Sequence, residues 1–285
     1  MCVFYTIYNP LAINGKGIEL LNRFKIDYSK DFEEISYYNY LKIDFEEIKK
    51  SFQDNDAIII IGGDEILHKI INIYYKYEIN CPLFMYGVKE YSDFLIDIDA
   101  ESYKIYNITE YIKDLPYSIV DNEKIYFINN VGFGLDGKVC HMASEKMKTH
   151  AKFTYPSLSR KVLLTYKKKN VTIIIDNITY QYKNVYLAST FNSRYYGGGM
   201  MAYPTLDRHS DKLGVLVMLS SNIIKAINIF SKFTKGLHKN YPKNVIFLEG
   251  HEIKVMIETP EYIQLDGDLI GEVYEYTACK GKKPE

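Results

Sequence analysis

The chain has 285 residues, of which 47% are hydrophobic, so it is long enough to form two domains with packed cores. Its formal net charge of -1 gives no sign of a nucleic-acid-binding protein. The four cysteines are widely spaced and lack a Cys-x-x-Cys pair, which argues against zinc ligation and a disulfide framework. No signal-peptide pattern and no apolar run of about 20 residues is present, which predicts a cytoplasmic protein.

Residues 1–117 alternate predicted strands with predicted helices. "CVFYTIYN" predicts a strand and "GKGIELLNRF" a helix, while "DFEEIKKSF" predicts a helix capped by Asp44. The apolar run "DAIIII" is typical of a parallel strand buried on both faces, and "CPLFMYG" predicts another strand. Between them, apolar residues at helical spacing predict a helix from about Glu65 to Tyr77. This rhythm predicts an α/β domain with a parallel sheet covered by helices on both sides.

Residues 118–274 show a different pattern, in which most predicted elements are strands. "SIVDNEKIYFINNVGFG" predicts two strands, and a helical interval covers roughly residues 137–166. Short strands separated by turns follow, interrupted by one amphipathic helix, "NIIKAINIFSKF", which is typical of an antiparallel β-sandwich. Whether the tail, 275–285, joins the first domain stays open at this point. We expect a ligand site in the cleft between the two domains.

Two glycine turns near the N-terminus each follow a strand and open a helix. The first, "NPLAINGKG", spans Asn9 to Gly17, and the second, "GGDE", spans Gly62 to Glu65. Glycine lets backbone N–H groups approach an anion, and a helix N-terminus adds partial positive charge. Lys16 adds a full positive charge. The residues alone leave two interpretations open, phosphate loops or ordinary strand-to-helix turns.

Three further stretches contain residues that could take part in catalysis or in metal binding. "GFGLDG" matches a G-x-G-x-x-G pattern, but the acidic residue that a dinucleotide site needs about 20 positions later is absent. "YIQLDGDLIGE" places Asp266 and Asp268 in a tight turn, either as a general base or magnesium ligand or as a plain hairpin. Asp211 follows a glycine-rich segment and precedes a strand, where it either ligates a cation or caps a turn.

Taken in order, these stretches resemble the diacylglycerol and sphingosine kinase family of lipid kinases over nearly the whole chain. The matching segments are "NP…GKG", "GGDEILHKIIN", "VGFGLD", "YGGGM…P" and "DGD". The resemblance implies an N-terminal nucleotide-binding domain and a C-terminal β-sandwich. It also implies transfer of the γ-phosphoryl group of ATP to a lipid hydroxyl, with ATP and Mg²⁺ as cofactors.

The resemblance also implies roles for individual residues. Asp64 would be the catalytic acid or base, Asp268 would stand in for the family's glutamate, and Asp136 would orient the acceptor or join a Mg²⁺ network. Asp211 and the backbone carbonyl of Leu213 match a structural magnesium loop. The residues expected to bind the nucleotide are Asn9, Gly15, Lys16, Gly17, Gly62, Gly63, Glu65 and Gly87.

The implied partners are a lipid substrate and a membrane surface, so we expect a cytoplasmic protein that is peripheral at the membrane. The basic run Lys167–Lys169 is interpreted as a solvated helix end, with contact to an anionic membrane as the alternative. A homodimer stays open, and no nucleic-acid partner is expected.

The sequence departs from the family pattern mainly around the nucleotide. Glu65 stands where the family has glycine, Lys212 replaces a glycine in the magnesium loop, and the Gly-Thr-x-Asn-Asp motif survives only as "YGVKEYSDF". Two like charges about 4 Å apart repel by about 4 kcal/mol at an effective dielectric constant near 20. The alternative is therefore a pseudokinase or lipid-binding protein on the same scaffold. A dinucleotide oxidoreductase using "GFGLDG" and a soluble kinase with a non-lipid acceptor are more remote alternatives.

Overall fold

The computed structural model describes residues 3–53, 55–148 and 155–281 of the chain. Contacts divide the chain into two compact units, Met1–Asp114 and Leu115–Glu285. The expected combination of an α/β domain and an antiparallel β domain is confirmed, with the boundary after Asp114.

The first unit contains a sheet in the order β2-β1-β3-β4-β5. Its strands are β1 (Val3–Tyr8), β2 (Glu34–Asn39), β3 (Ala57–Ile61), β4 (Leu83–Tyr86) and β5 (Ile105–Asn107). Neighbouring strands from β2 to β4 are parallel, while β5 is antiparallel to β4. The predicted parallel sheet is thus correct for its centre, and β2 and β5 are edge strands that the apolar pattern did not reveal. Edge strands need only one apolar face, which weakens their sequence signal.

Helices lie between these strands and after the last of them. They are α1 (Ala12–Gly15), α2 (Gly17–Tyr28), α3 (Phe45–Ser51), α4 (Asp64–Lys76), α5 (Asp93–Asp97) and α6 (Thr109–Ile112), with a 3₁₀ turn at Lys89–Tyr91. All five residues of β3 are buried because the strand is paired on both sides and covered by helices. The helix α2 contributes Leu20, Leu21 and Phe24 to a core that includes Ile59 and Ile61. Asp44 caps α3 as predicted, because its carboxylate accepts hydrogen bonds from two first-turn N–H groups.

The second unit is built on antiparallel strands. They are β6 (Tyr117–Val120), β7 (Glu123–Tyr126), β8 (Asn130–Gly134), β9 (Lys169–Ile175), β10 (Ile178–Phe191), β11 (Tyr195–Tyr196), β12 (Met200–Met201), β13 (Leu213–Leu219), β14 (Val245–Gly250), β15 (Glu252–Leu265) and β16 (Asp268–Cys279). Its helices are α7 (Leu135–Lys148), α8 (Tyr155–Thr165) and α9 (Ile223–Phe230), followed by 3₁₀ turns at Phe233–Lys235 and Leu237–Asn240.

The large sheet runs β14-β13-β10-β8-β15-β16-β6-β7, and β9 pairs with both β10 and β15. The strands β8, β10, β9 and β15 therefore form a closed ring around an apolar core that includes Val131, Phe133, Ile173 and Val255. The ring closes because β10 and β15 are long and each contains register shifts, which bend a strand. On the opposite face, α7, α8 and α9 bury a second core.

Two sequence expectations for this unit need correction. "SIVDNEKIYFINNVGFG" forms three strands, since Asp121 and Asn122 adopt positive φ and turn the chain between β6 and β7. The tail does not return to the first domain in the described residues. Residues 275–279 end β16, which pairs with β15 and β6 within the second unit.

No helix in the described part of the chain combines the length and the apolarity needed to cross a membrane.

Candidate functional site

The loop between β1 and α2, which contains the short α1 with its two non-helical residues, has a strained backbone. Ile13, Asn14 and Gly15 have consecutive φ values of 55°, 56° and 87°, in the left-handed region. A β-branched residue such as Ile13 rarely adopts this conformation, which costs on the order of 1–3 kcal/mol and is concentrated at functional sites. The buried Asn9 shapes the loop, because its side-chain oxygen accepts a hydrogen bond of 2.9 Å from the N–H of Leu11. The loop thus differs from an ordinary strand-to-helix turn.

The helix α2 begins directly after this loop, at Gly17. In the structure as described, Lys16 forms no side-chain hydrogen bond that caps the first turn of α2. The first N–H groups of a helix have no partner within the helix, so they are suited to an anion. Gly17 must be glycine because a Cβ there would lie 2.0 Å from the carbonyl oxygen of Asn9. The predicted residues Asn9, Gly15, Lys16 and Gly17 therefore form one compact loop.

A cavity of about 310 Å³ lies beside this loop, within the first unit. It is lined by Ile13, Lys16, Glu19, Leu20, Arg23, Val88, Tyr91 and Tyr103. Small-molecule pockets in proteins start at about 300 Å³, so the cavity has the size of a ligand site. Lys16 and Arg23 supply positive charge, and the guanidinium carbon of Arg23 lies 3.6 Å from the centre of the Tyr103 ring. Two cations and aromatic rings are a composition that fits a nucleotide.

Sequence reasoning identified Lys16 but missed the other polar residues of this cavity. Arg23 could have been found, because it lies two helical turns after Lys16 and therefore on the same side of α2. Tyr91 ends the 3₁₀ turn after β4, Tyr103 lies in the loop before β5, and no local pattern marks either residue.

The second glycine turn packs tightly against the segment after β4. A Cβ on Gly63 would lie 2.4 Å from the carbonyl oxygen of Tyr91, and a Cβ on Gly87 would lie 2.5 Å from that of Gly62. Side chains are excluded at these positions by backbone contact. The structure therefore brings Gly62, Gly63 and Gly87 together, as expected for one site. Close backbone packing explains why Gly63 and Gly87 are glycines.

Asp64 connects the same two segments through its carboxylate. It accepts hydrogen bonds of 2.5 Å from the Ser92 hydroxyl and 2.7 Å from the N–H of Asp93, and longer ones from the N–H of Phe94. Ser92 in turn caps α5, since its hydroxyl accepts a hydrogen bond from the N–H of Leu95. The predicted catalytic carboxylate thus also holds the start of α5.

Glu65 lies in the first turn of α4, and its side chain is exposed to solvent. Water screens an exposed charge strongly, and an acidic residue in a first turn gains about 0.3–1 kcal/mol from the helix dipole. The repulsion estimated from sequence assumed a carboxylate directed at the phosphates from about 4 Å. Exposure greatly reduces that penalty.

A buried carboxylic acid lies at the start of α7 in the second unit. Asp136 accepts hydrogen bonds from the Ser189 hydroxyl at 2.6 Å, the Gln264 amide at 3.2 Å and the N–H of Gly137 at 2.8 Å. Burial raises the pKa of Asp136 to about 6, although these hydrogen bonds act in the opposite direction. The group therefore changes protonation near neutral pH, which suits general acid–base chemistry.

Asp268 begins β16, a strand that contacts α7. Burial, with smaller contributions from the charges of Asp136 and Asp268, raises the pKa of the Cys140 thiol on α7 to about 12. The hairpin before Asp268 is fixed by Asp266, whose carboxylate accepts hydrogen bonds from three consecutive N–H groups, at Ile128, Asn129 and Asn130. The structure thus places the two predicted catalytic residues of this unit, Asp136 and Asp268, at the starts of α7 and β16, two elements that contact each other. It also gives Ser189 and Gln264 supporting roles that sequence reasoning missed, while Asp266, considered above as a base, a magnesium ligand or a hairpin residue, fixes the hairpin.

The side-chain amide nitrogen of Asn130 is a further polar group near this hairpin. Asn130 is buried, and its Nδ2 atom has no hydrogen-bond partner among the described residues. Asn130 and Gln264 project from adjacent strands on the same face as Ser189, because Gly132 pairs with both Gln264 and Ser189. This face of the sheet therefore carries a donor that can bind an oxygen atom.

The predicted magnesium residues form a different kind of contact. The exposed carboxylate of Asp211 lies 3.1 Å from Nε2 of His251, and this hydrogen bond lowers the pKa of Asp211. Leu213 is buried at the start of β13, paired with Gly250. No group of three or more His, Cys, Asp or Glu side chains suited to a metal occurs in the described ranges. One carboxylate and one carbonyl do not fit a protein-built magnesium site, and we assign no reaction step to them.

The segment "GFGLDG" does not form a dinucleotide fingerprint. It spans the end of β8 and the start of α7, and β8 pairs antiparallel with both β10 and β15. A dinucleotide fingerprint requires a parallel βαβ unit.

Residues 129–281 match the family model described as the YegS C-terminal NAD kinase beta sandwich-like domain. A curated relative is the "Putative lipid kinase YtlR" of Bacillus subtilis (strain 168), 21% identical over 231 residues, which cover 75% of this chain and 74% of the relative.

Two solved structures share the fold. One is titled as a "putative diacylglycerol kinase" from Bacillus anthracis str. Sterne, with a TM-score of 0.69, 20% identity and coverage of 98% of this chain and 91% of the other. The second, titled as a diacylglycerol kinase from the same strain, has a TM-score of 0.67 and 17% identity and covers 98% and 94%.

Proposed function

This chain belongs to the YegS family of diacylglycerol kinase-like proteins, and on that premise we propose that it transfers a phosphoryl group from ATP to a lipid hydroxyl. Relationship to lipid kinases supports a kinase-like function in general terms. The choice of ATP and of a diacylglycerol-like or sphingoid acceptor is the proposal. The observation that carries it is the strained loop Asn9–Gly17 beside a ligand-sized cavity that contains Lys16 and Arg23.

The first unit would bind the phosphoryl donor. Lys16 and the uncapped N–H groups of α2 would neutralise phosphate charge, and Arg23 with Tyr103 would contact the remainder of the nucleotide.

The second unit would bind the acceptor. Asp136, with a pKa raised to about 6, would accept the proton of the lipid hydroxyl, while Ser189 and Gln264 keep its carboxylate oriented. Asp268, at the start of β16, would assist by its charge.

The proposal is tested with radiolabelled ATP, Mg²⁺ and a lipid extract from bacterial membranes. We expect a labelled lipid with the wild-type protein, and strongly reduced labelling with Asp136→Asn and with Asp64→Ala. Asp114→Asn is the matched control, because Asp114 is an exposed carboxylate outside both candidate sites. Absence of labelling with diacylglycerol, sphingoid bases and total extract would contradict the proposal.

A second candidate function, lipid binding without phosphoryl transfer, is favoured by the contacts of Asp64. Its carboxylate is engaged by Ser92, Asp93 and Phe94, as a residue with a purely structural role would be. Calorimetry with ATP and Mg²⁺ separates the two functions, because a micromolar affinity supports the kinase and absence of binding supports the second candidate.

A further inference from the structure

The side-chain amide of Asn130 is a buried hydrogen-bond donor without a partner in the described chain. Asn130 is 3% exposed, and its Nδ2 atom forms no hydrogen bond with any described residue. A buried donor that is left unpaired destabilises a folded protein, so such groups are rare and each one requires an explanation. A ligand that supplies the missing oxygen atom is such an explanation.

Other buried amides of the second unit are paired. The Nδ2 atom of Asn244 donates a hydrogen bond of 2.9 Å to the carbonyl oxygen of Leu219. Gln264 uses both ends of its amide, because Nε2 donates to the carboxylate of Asp136 and Oε1 accepts from a backbone N–H of the following hairpin. Asn130 therefore differs from these two buried amides in a way that points to a missing partner.

The backbone of Asn130 is fixed on both sides, which gives its side chain a defined direction. The N–H group donates a hydrogen bond of 3.0 Å to the carboxylate of Asp266, and the carbonyl oxygen accepts one of 2.9 Å from the N–H of Asp266. On the other side, Asn130 pairs with Phe191 of β10. A donor held by two neighbouring strands is preorganised for a ligand oxygen, which reduces the entropy lost on binding.

The amide of Asn130 lies on the sheet face that also holds Asp136. Gly132, two residues after Asn130, pairs with Ser189 and with Gln264, and both of these side chains donate hydrogen bonds to the carboxylate of Asp136. A strand rises about 3.4 Å per residue, so Asn130 lies about 7 Å along β8 from the level of these two donors. This spacing suits an acceptor molecule that presents a hydroxyl group at one level and a second oxygen atom at the other.

We propose that the Nδ2 atom of Asn130 donates a hydrogen bond to a carbonyl oxygen of the acceptor lipid and thereby selects ester lipids over amino lipids. This inference rests on the proposed function and adds a residue that determines the acceptor. An ester carbonyl only accepts hydrogen bonds, so it complements an unpaired donor. The ammonium group of a sphingoid base only donates, so it leaves the amide nitrogen unpaired and the site rejects it.

The proposal is tested with two lipids that share the same primary hydroxyl. One is a diacylglycerol, and the other is a dialkylglycerol of equal chain length, in which ether linkages replace the esters and the carbonyl oxygens are absent. With radiolabelled ATP and Mg²⁺, we expect the wild-type kcat/KM to be about tenfold higher for the diacylglycerol, the effect of one lost hydrogen bond. Sphinganine should be a poorer acceptor than the diacylglycerol.

Asn130→Leu removes the amide while it keeps a side chain of similar shape. This variant should lower kcat/KM for the diacylglycerol by about tenfold and leave that for the dialkylglycerol nearly unchanged, so that the preference between the lipids disappears. Because the Nδ2 atom has no partner in the described chain, the variant should retain the free energy of unfolding of the wild type. A purely structural amide would instead lower stability and reduce activity with both lipids by the same factor.

Asn244→Leu is the matched control. Asn244 is also buried, but its amide is paired with Leu219 at the junction of β13 and β14, outside the hydrogen bonds of Asp136. This variant should lose stability in urea unfolding, because it leaves a buried carbonyl oxygen unpaired. Its folded fraction should keep the wild-type preference for the diacylglycerol.

A binding measurement makes the test independent of turnover. Calorimetry with the two lipids in detergent micelles should show the same preference of about tenfold in the wild type and none in Asn130→Leu. Equal binding of the two lipids by the wild type, or a preference that survives in Asn130→Leu, would overturn the proposal. Lipid binding with the expected preference but without phosphorylation would contradict the kinase activity alone, whereas phosphorylation of both lipids without preference would contradict only the role of Asn130.

Discussion

The hydroxyl of Ser92 donates a hydrogen bond of 2.5 Å to the carboxylate of Asp64, and the two residues belong to segments that follow different strands of one sheet. Asp64 follows β3, and Ser92 follows β4, at adjacent positions on the same sheet edge. The hydrogen bond thus connects "GGDEILHKIIN", which resembles the kinase family clearly, to "YGVKEYSDF", where the family's Gly-Thr-x-Asn-Asp motif is mostly lost.

Removing this hydroxyl should reveal how far Asp64 is structural. Ser92→Ala removes both the hydrogen bond to Asp64 and the cap of α5, so we expect the free energy of unfolding to fall by about 1–3 kcal/mol. Urea unfolding measures the loss, with Ser221→Ala as an exposed serine control. Among folded variants, kinase activity that survives Ser92→Ala but not Asp64→Asn would indicate a chemical role for Asp64. Equal losses of activity would indicate a positioning role.

Asp136 should make stability depend on pH in an unusual direction. Its pKa is raised from 3.8 to about 6, so the folded protein binds this proton more tightly than the unfolded chain. The stabilisation is complete below pH 3.8 and is lost as the pH rises to about 6. Between pH 4 and pH 7, wild-type stability should therefore fall by about 2 kcal/mol relative to Asp136→Asn, which does not titrate. Urea unfolding across this range measures the difference, and a parallel pH dependence for the two proteins would contradict it.

The cavity of the first unit should lose affinity for ATP when its cations are removed. Hydrogen bonds to charged groups contribute about 1.5–3 kcal/mol, so Lys16→Ala and Arg23→Ala should each weaken binding by about tenfold or more. Lys42→Ala, at an exposed position away from the cavity lining, is the control for net charge. Calorimetry with ATP gives the affinities. Unchanged affinity in both cavity variants would place the nucleotide elsewhere.

Glu65→Gln should change nucleotide affinity only slightly. The side chain of Glu65 is exposed, so its charge is screened, and we expect a change of less than about threefold. The same calorimetric titration checks this value. A gain of about a hundredfold or more would show that the carboxylate approaches the phosphates, as the simple repulsion argument from sequence assumed.

Local sequence patterns predicted the central elements of the first unit. The apolar run before Gly62, the helical spacing from Ile66 to Tyr74 and the N-cap Asp44 each correspond to an element in the structure. Local patterns suffice there because each element requires particular residue types. A strand buried on both faces is apolar throughout, a helix buried on one face has apolar residues at helical spacing, and a helix N-terminus favours a capping residue. The weakly patterned edge strands β2 and β5 and the ring formed by β9 were not predicted. Edge strands and ring closure depend on long-range pairing.

The sequence by itself determined the family, the order of the two domains and the identity of the candidate aspartates, because short motifs at turns keep their residue types and their order along the chain. Only the tertiary structure decided what surrounds each carboxylate. It surrounds Asp136 with Ser189 and Gln264 on neighbouring strands, engages Asp64 with Ser92 and leaves Glu65 in solvent. Burial and hydrogen-bond partners come from residues distant in sequence, and these partners set the pKa and the available chemistry of a carboxylate.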